Sequence, residues 1–195
     1  MRTLPLTREP IMSVSLRETI TLHDASIADM AQIQQIYAHH VIHGIASFET
    51  EPPTRDEMLS RRENILSKGL PYLVAKRDDQ VLGYCYLAPY RPRYAYRFTC
   101  EGSVYIDETE QGQGIGKRLM QEAVKRATEG GWRQMIANVG NSSNVGSIKL
   151  HESLGFVIVG TLKSVGFKHG RWIDTVLMQL ELGDGDITLP GNCGN

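Results

Sequence analysis

Helical and strand periodicities alternate along the 195 residues, and this predicts an α/β (α+β) sandwich, a mixed central β-sheet with helices on both faces. Two further observations support it. A strand runs directly into a helix through a glycine-rich turn, VYIDETEQGQGIGK, at 104–117. The length suits one domain with a full core and is too short for two ordinary ones.

The elements follow in order. Thr19 to Leu22 reads as a strand, and a helix opens near Ser26 with Met30, Ile33, Ile36 and Tyr37 at helical spacing. Thr54 and Glu57 have capping-box spacing for a second helix, whose inner face is Met58, Leu59, Arg62, Ile65 and Leu66, with Gly69 placed to end it. Tyr72 to Lys76 and Val81 to Ala88, joined through Arg77-Asp78-Asp79-Gln80, predict a hairpin. A loop with Pro89 and Pro92 leads to a strand ending at Ile106. After the glycine turn, Leu119, Met120, Ala123, Val124 and Ala127 mark an amphipathic helix that Gly130-Gly131 stops. A strand from Trp132 to Asn138, a helix from about Ser143 to Leu154, and two strands meeting at His169-Gly170 complete the order. Residues 1–15 lack periodicity and read as an extension, with Met12 an alternative start. The domain spans 16–182, and the glycine-rich 183–195 reads as a flexible tail.

The hydrophobic share of 41%, charged share of 22% and net charge of -1 are globular values that give no electrostatic case for nucleic acid or an acidic membrane. The expected ligand is therefore small. No run is apolar enough for a signal-peptide core or a membrane span, and the 3 cysteines, Cys85, Cys100 and Cys193, are widely spaced. Both features suit a cytoplasmic, reducing location.

The turn at 112–117 is chemically informative because glycine adds no Cβ and the first helical N–H groups lack intrahelical partners, so phosphate oxygens can approach the backbone. Spacing separates three kinds of phosphate site. A P-loop needs Gly where Gln111 stands and Ser or Thr where Arg118 stands; a dinucleotide fingerprint needs Gly at Lys117. Both fail. The remaining pattern is Q-x-x-G-x-G, Gln111 to Gly116, which by itself is also compatible with a purely structural turn.

That pattern resembles the coenzyme A diphosphate loop of the GNAT superfamily of N-acetyltransferases. The resemblance extends to N-V-G-S-I-K-L-H-E-S-L-G-F, where Asn144, Ser147 and His151 share a helix face. Together, G-F-K-H-G-R-W-x-D and T-C-E-G-S-V-Y-I are similar to the phosphinothricin and methionine sulfoximine N-acetyltransferases, over about Thr19 to Leu182.

The resemblance implies a GNAT fold and an acetyl-CoA-dependent N-acetyltransferase acting on the α-amino group of a small amino-acid-like acceptor. Glu101 matches the family's proposed general base, and a carboxylate near the thioester could take the amine proton. His151, with Tyr105 as the alternative, matches the acid toward the leaving thiolate. Cofactor contacts are implied for Val104, Tyr105 and Ile106, for Gly112, Gln113, Gly114, Ile115, Gly116 and Lys117, and for Asn144 and Ser147. A backbone N–H near Tyr105 or Ile106 would stabilise the oxyanion. Substrate contacts are implied for Phe48, Arg91, Pro92, Arg93, Glu101, Gly102 and Ser103, the guanidinium forks suiting a carboxylate or phosphinate. Family members pair as homodimers, with the hairpin near Lys168 to Trp172 reaching the partner's site. Gln111 stands where many superfamily members carry Arg, which removes one charge from the loop. His39, His40 and His43 are spaced as metal ligands could be but lack a nearby Glu or Cys ligand, so solvent exposure is the expectation and no metal is assigned. A catalytically silent acyl-CoA sensor and a protein or peptide N-terminal acetyltransferase are the alternatives.

Overall fold

The computed structural model describes residues 19–191; the extension at 1–15, Met12 and Cys193 lie outside the described residues. Seven strands form one sheet: β1 (Thr21–Asp24), β2 (Tyr72–Arg77), β3 (Gln80–Pro89), β4 (Thr99–Ile106), β5 (Gln134–Gly140), β6 (Val157–Lys168) and β7 (Arg171–Glu181). Their order is β1-β2-β3-β4-β5-β7-β6. Every neighbouring pair is antiparallel except β4 and β5, which run parallel because a helix makes the crossover between them. The mixed sheet of the sequence reading is therefore present. β1 begins at Thr21 and β5 at Gln134, each two residues later than the sequence pattern placed it.

The helices are α1 (Met30–His43), α2 (Arg55–Leu66), α3 (Ile115–Glu129) and α4 (Val145–Glu152). Ser26 opens a 3₁₀ turn before α1, where its backbone N–H and hydroxyl both donate to Asp29. The Thr54 hydroxyl accepts from the Glu57 N–H at 3.2 Å, while the Glu57 carboxylate turns to Arg61 instead of reaching back. Gly69 takes the left-handed φ of +69° that turns the chain into β2. Leu66, expected on the inner face of α2, is 39% exposed; Met58 and Ile65 carry that face.

Alternation along the strands distributes side chains between two layers. On β3, the Cys85 thiol donates to the Leu119 carbonyl of α3, while Tyr84 and Tyr86 face α1 and α2 with Tyr72 stacked beside them. On β4, Gly102 lies against Met120 of α3, and Tyr105 packs edge-on against Tyr37 of α1. Helices thus cover both faces. The core runs between them through fully buried Met30, Ile33, Leu73, Leu82, Leu119 and Met135. Of the segment after Leu182, the described part turns back so that Arg133 donates to Thr188 at 3.0 Å and to the Leu189 carbonyl at 3.2 Å.

The hairpin of β6 and β7 turns at His169 (φ +51°) and Gly170 (φ +73°), where the sequence placed it. Its outer strand is unusual. β6 is an edge strand with Val157, Val159 and Val165 more than half exposed, and Phe167 and Trp172 reach 59% and 67%.

Candidate active site

The parting of β4 from β5 makes the site. The two strands pair only as far as Gly102 and Ala137, yet β4 continues to Ile106 and β5 to Gly140. The Thr99 carbonyl and the Asp107 N–H both bond toward β3, whereas the Phe98 carbonyl bonds toward β5. Strand parity then turns the N–H and C=O groups of Val104 and Ile106 toward the widening gap, and those of Tyr105 toward β3. An open backbone edge results. At the end of this edge the Ile106 carbonyl is already engaged, accepting from His40 Nε2 at 2.8 Å.

One cleft in this gap is lined by Val104 and Tyr105 from β4, Val139 from β5, and Asn144, Ser147 and His151 from α4. Val104 and Tyr105 are thus brought together with Asn144, Ser147 and His151, which lie 39 to 47 positions further along the chain. Asn144 is the N-cap of α4, its side chain accepting from the Ser147 N–H at 3.2 Å. His151 is 4% exposed and its Nδ1–H donates to the Ser147 carbonyl at 2.8 Å, leaving a lone pair on Nε2. Burial pushes its pKa below the ordinary imidazole value. The ring is therefore uncharged at neutral pH.

The glycine turn lies where β4 leads into α3. Gly112 and Gly114 have φ of +78° and +75° with nothing within 4 Å of an added Cβ, so their requirement is conformational. Gly114 is the N-cap of α3, leaving the following first-turn N–H groups without helical partners. Gly116 differs: a Cβ there would meet Leu150 at 2.8 Å, so this glycine lets α3 approach α4. Ile115 is a core residue at 2% exposure, and Gln113 uses its amide to donate to Glu110 at 2.8 Å; Lys117 is exposed.

A second, larger cleft of about 480 Å³ adjoins the first on the α1 and α2 side of the sheet, and Tyr105 and Ser103 line both. Glu101, Ser103 and Tyr105 alternate along β4 and face it together, with Phe48 from the loop between α1 and α2. Gly102 points the other way, against Met120 and Leu87. Burial raises the Glu101 pKa above the usual carboxylate range, and a hydrogen bond from Asn138 opposes the shift. Burial likewise holds the Tyr105 phenol far above its ordinary pKa, so it keeps its proton.

The loop at 91–93 stays outside the cleft. Arg91 lies over the Tyr90 and Tyr96 rings at 5.1 and 5.9 Å, and Arg91, Pro92 and Arg93 are all exposed and line neither cleft. They leave the sheet at the end where Glu101 sits, since Ala88 is the cross-strand partner of Glu101.

Several cleft residues had gone unread in the sequence. Ser47 and Glu49 flank Phe48; the Tyr37 hydroxyl donates to Glu49 at 2.9 Å, and Arg61 grips the same carboxylate. Lys168, expected on a hairpin that reaches a partner, is 4% exposed and donates to the Ser47 carbonyl of its own chain at 2.7 Å. Phe48 packs so close to Gly166 that a Cβ there would meet its ring at 2.9 Å. The short segment ASFE carried no periodic signal, which is why only its aromatic stood out. His39 and His40 are half-buried, not a solvated cluster: His39 pairs with Glu108 at 3.0 Å and His40 with the Ile106 carbonyl. Among the described residues no group of three or more His, Cys, Asp or Glu side chains could hold a metal ion, and no helix is long and apolar enough to cross a membrane.

Comparison with known proteins gives this geometry a family context. The profile of the acetyltransferase (GNAT) family matches residues 30–156. A phosphinothricin N-acetyltransferase of Alcaligenes faecalis is 57% identical over 162 residues, covering 83% of this chain and 82% of the relative. An L-methionine sulfoximine/L-methionine sulfone acetyltransferase of Salmonella typhimurium is 36% identical, covering 84% and 95%. Among solved structures, a GNAT superfamily phosphinothricin acetyltransferase from Sinorhizobium meliloti in complex with AcCoA superimposes with a TM-score of 0.87 at 45% identity, covering 90% of this chain and 95% of that one.

Proposed function

The chain belongs to the acetyltransferase (GNAT) family, and from that premise we propose that it transfers acetyl from acetyl-CoA to the α-amino group of a small amino-acid-like acceptor. The parting of β4 from β5 carries the reading, because it joins an open backbone edge, Glu101 and the α4 residues in two connected clefts. The relatives named for phosphinothricin, methionine sulfoximine and methionine sulfone support an acceptor of that type.

The chain's own groups fit the donor. Val104 and Ile106 offer backbone groups to an extended amide-bearing arm as an added strand would be bound, and the first turn of α3 offers N–H groups to a diphosphate. Bound acetyl-CoA supplies the acetyl thioester. Glu101 takes the amine proton, directly or through water; its raised pKa makes it a stronger base once ionised. As the C–N bond forms and the C–S bond breaks, the Val104 and Ile106 N–H groups face the side on which an oxyanion would be held. Parity makes Tyr105's N–H unsuitable for this. Its phenol, still protonated, donates a hydrogen bond to the departing sulfur without giving up its proton, and the released thiolate takes its proton from water, while uncharged His151 offers only an acceptor at Nε2. Arg91 and Arg93 stand outside both clefts, on the loop that leaves the sheet at the Glu101 end, and are assigned to the acceptor's acid group on the family resemblance alone.

The exposed apolar strand β6 supports a homodimer, since Phe167 and Trp172 would otherwise leave a large apolar patch in water. Buried free Cys85 and Cys100 suit a cytoplasmic setting. The deciding experiment is a thiol-release assay with acetyl-CoA against phosphinothricin, methionine sulfoximine, methionine sulfone, common amino acids and peptides. Turnover on free amino-acid-like amines and none on peptides is expected. Coenzyme A binding with no transfer to any amine would overturn the reading in favour of a sensor, and sedimentation as a monomer would remove the dimer.

A further inference from the structure

The glycine turn does little to hold its own shape. Gln111, Gly112, Gln113 and Gly114 are all exposed, and among the described residues no backbone N–H of 111–114 donates to another backbone group. Gln113 sits between glycines at φ +78° and +75°, and neither has an atom within 4 Å of an added Cβ to steady it. Glycine gives up more conformational freedom on ordering than any other residue. Because Gln111 adds no charge, the cradle depends on backbone N–H groups that must already point toward the ligand.

The constraint comes from outside the turn. Arg77, the last residue of β2, donates through both arms of its guanidinium to the two oxygens of Glu110, at 2.9 Å each. Such a fork fixes orientation as well as adding attraction. Glu110 is 9% exposed, closes the 3₁₀ turn Glu108–Glu110, and has its carboxyl held below the ordinary pKa by the Arg77 fork. Its Oε2 also accepts from Gln113 Nε2 at 2.8 Å, and Arg77 reaches on to the Gln113 side-chain oxygen at 3.5 Å. The segment is tied at its start too, because the Asp107 N–H donates to the Leu82 carbonyl of β3 at 2.9 Å. Asp107, Glu110 and Gln113 are thereby fixed to the β2–β3 hairpin at every third residue.

We propose that Arg77 is a positioning residue for the donor: through Glu110 and the Gln113 side chain it presets the peptide planes between Gly112 and Gly114, so that the turn's N–H groups face the diphosphate of coenzyme A before it binds. Arg77 acts through Glu110, which engages its guanidinium, and not by touching phosphate. The proposal rests on the acetyltransferase reading and deepens its donor site.

The test combines calorimetric titration with coenzyme A and NMR order parameters of the unliganded turn, in wild type, Arg77→Met and Gln113→Ala. Leaving one backbone residue to be ordered on binding corresponds to roughly a five- to thirtyfold loss of affinity. Arg77→Met should weaken coenzyme A binding by roughly tenfold and leave the acceptor KM within about twofold of wild type. Order parameters at 112–114 should stand near the rigid value of about 0.85 in wild type and fall toward about 0.6 in the variant, with α1 unchanged. Gln113 is exposed, so Gln113→Ala cuts the last link without disturbing the core and should show both effects. Combining the two substitutions should cost no more than the larger single loss, because both sever one chain of contacts. Additive losses, or weaker binding with unchanged order parameters, would overturn the proposal and make Arg77 a direct phosphate ligand. A turn already mobile in wild type, or unchanged affinity in both single variants, would overturn it as well. Wild type that binds no coenzyme A would reject the acetyltransferase reading itself, which the other outcomes leave standing.

Discussion

Replacing Glu101 with Gln preserves shape and the Asn138 contact while removing the one group proposed to take the amine proton. A positioned base contributes roughly 10²–10⁴ in rate, about 3–5 kcal/mol at some 1.36 kcal/mol per tenfold. The structure adds a second consequence of opposite sign. Burial raises the Glu101 pKa, so the folded protein holds that proton to higher pH than the unfolded chain. Its contribution to stability is full below the unfolded value and is lost as pH rises through the folded value. At neutral pH the ionised carboxylate thus opposes folding, and Gln relieves it. Glu101→Gln should therefore lose most of its kcat/KM while its melting temperature holds or rises. Acetyl-CoA affinity should not change, because Glu101 faces the acceptor cleft and not the Val104 to Ile106 edge. Wild type should also lose kcat/KM as pH falls through the raised Glu101 pKa, a limb absent from the variant. The assay is a thiol-release pH profile with calorimetry on the same samples. A variant within about threefold of wild type between about pH 5 and 9 would remove Glu101 from the mechanism.

Gly114→Val should weaken acetyl-CoA binding, since a branched side chain at φ +75° costs about 1–2 kcal/mol in the left-handed region; titration with coenzyme A showing unchanged affinity would reject the turn as the diphosphate cradle. Lys168→Met strips the Ser47 carbonyl of its buried donor, a loss of about 1–3 kcal/mol, and should raise the acceptor KM well above any change in the acetyl-CoA KM; a parallel rise in both would refute a specific role in the acceptor loop. Burial lowers the pKa of His151 and of His40, so their contribution is full above the unfolded value of 6.5 and lost as pH falls through the folded values. Melting temperature should fall on acidification below that value, less steeply in His151→Asn, and identical slopes would show that the ring is not held neutral.

The elements themselves were legible in the sequence because their signals are local. Thr54 caps α2, Gly114 and Gly69 turn the chain where φ must be positive, and the apolar spacing of α3 survives unchanged into its buried face. The strand boundaries moved by two residues where no cap or turn residue marks them. The glycine turn, Glu101 and the Asn144 to His151 face likewise stood out by spacing and resemblance, since each lies within one continuous segment.

The meeting of those segments could not be read from the chain. No local pattern records that β4 and β5 part after Gly102 and Ala137, because pairing is settled between segments 35 residues apart in the chain. Sequence determined that a carboxylate, an imidazole and a glycine turn were present. Tertiary structure decided their states: burial makes His151 neutral and Glu101 more basic, strand parity turns Val104 and Ile106 into the gap, and Lys168 folds inward onto Ser47. Protonation and orientation depend on what surrounds a group, and those surroundings come from residues distant along the chain.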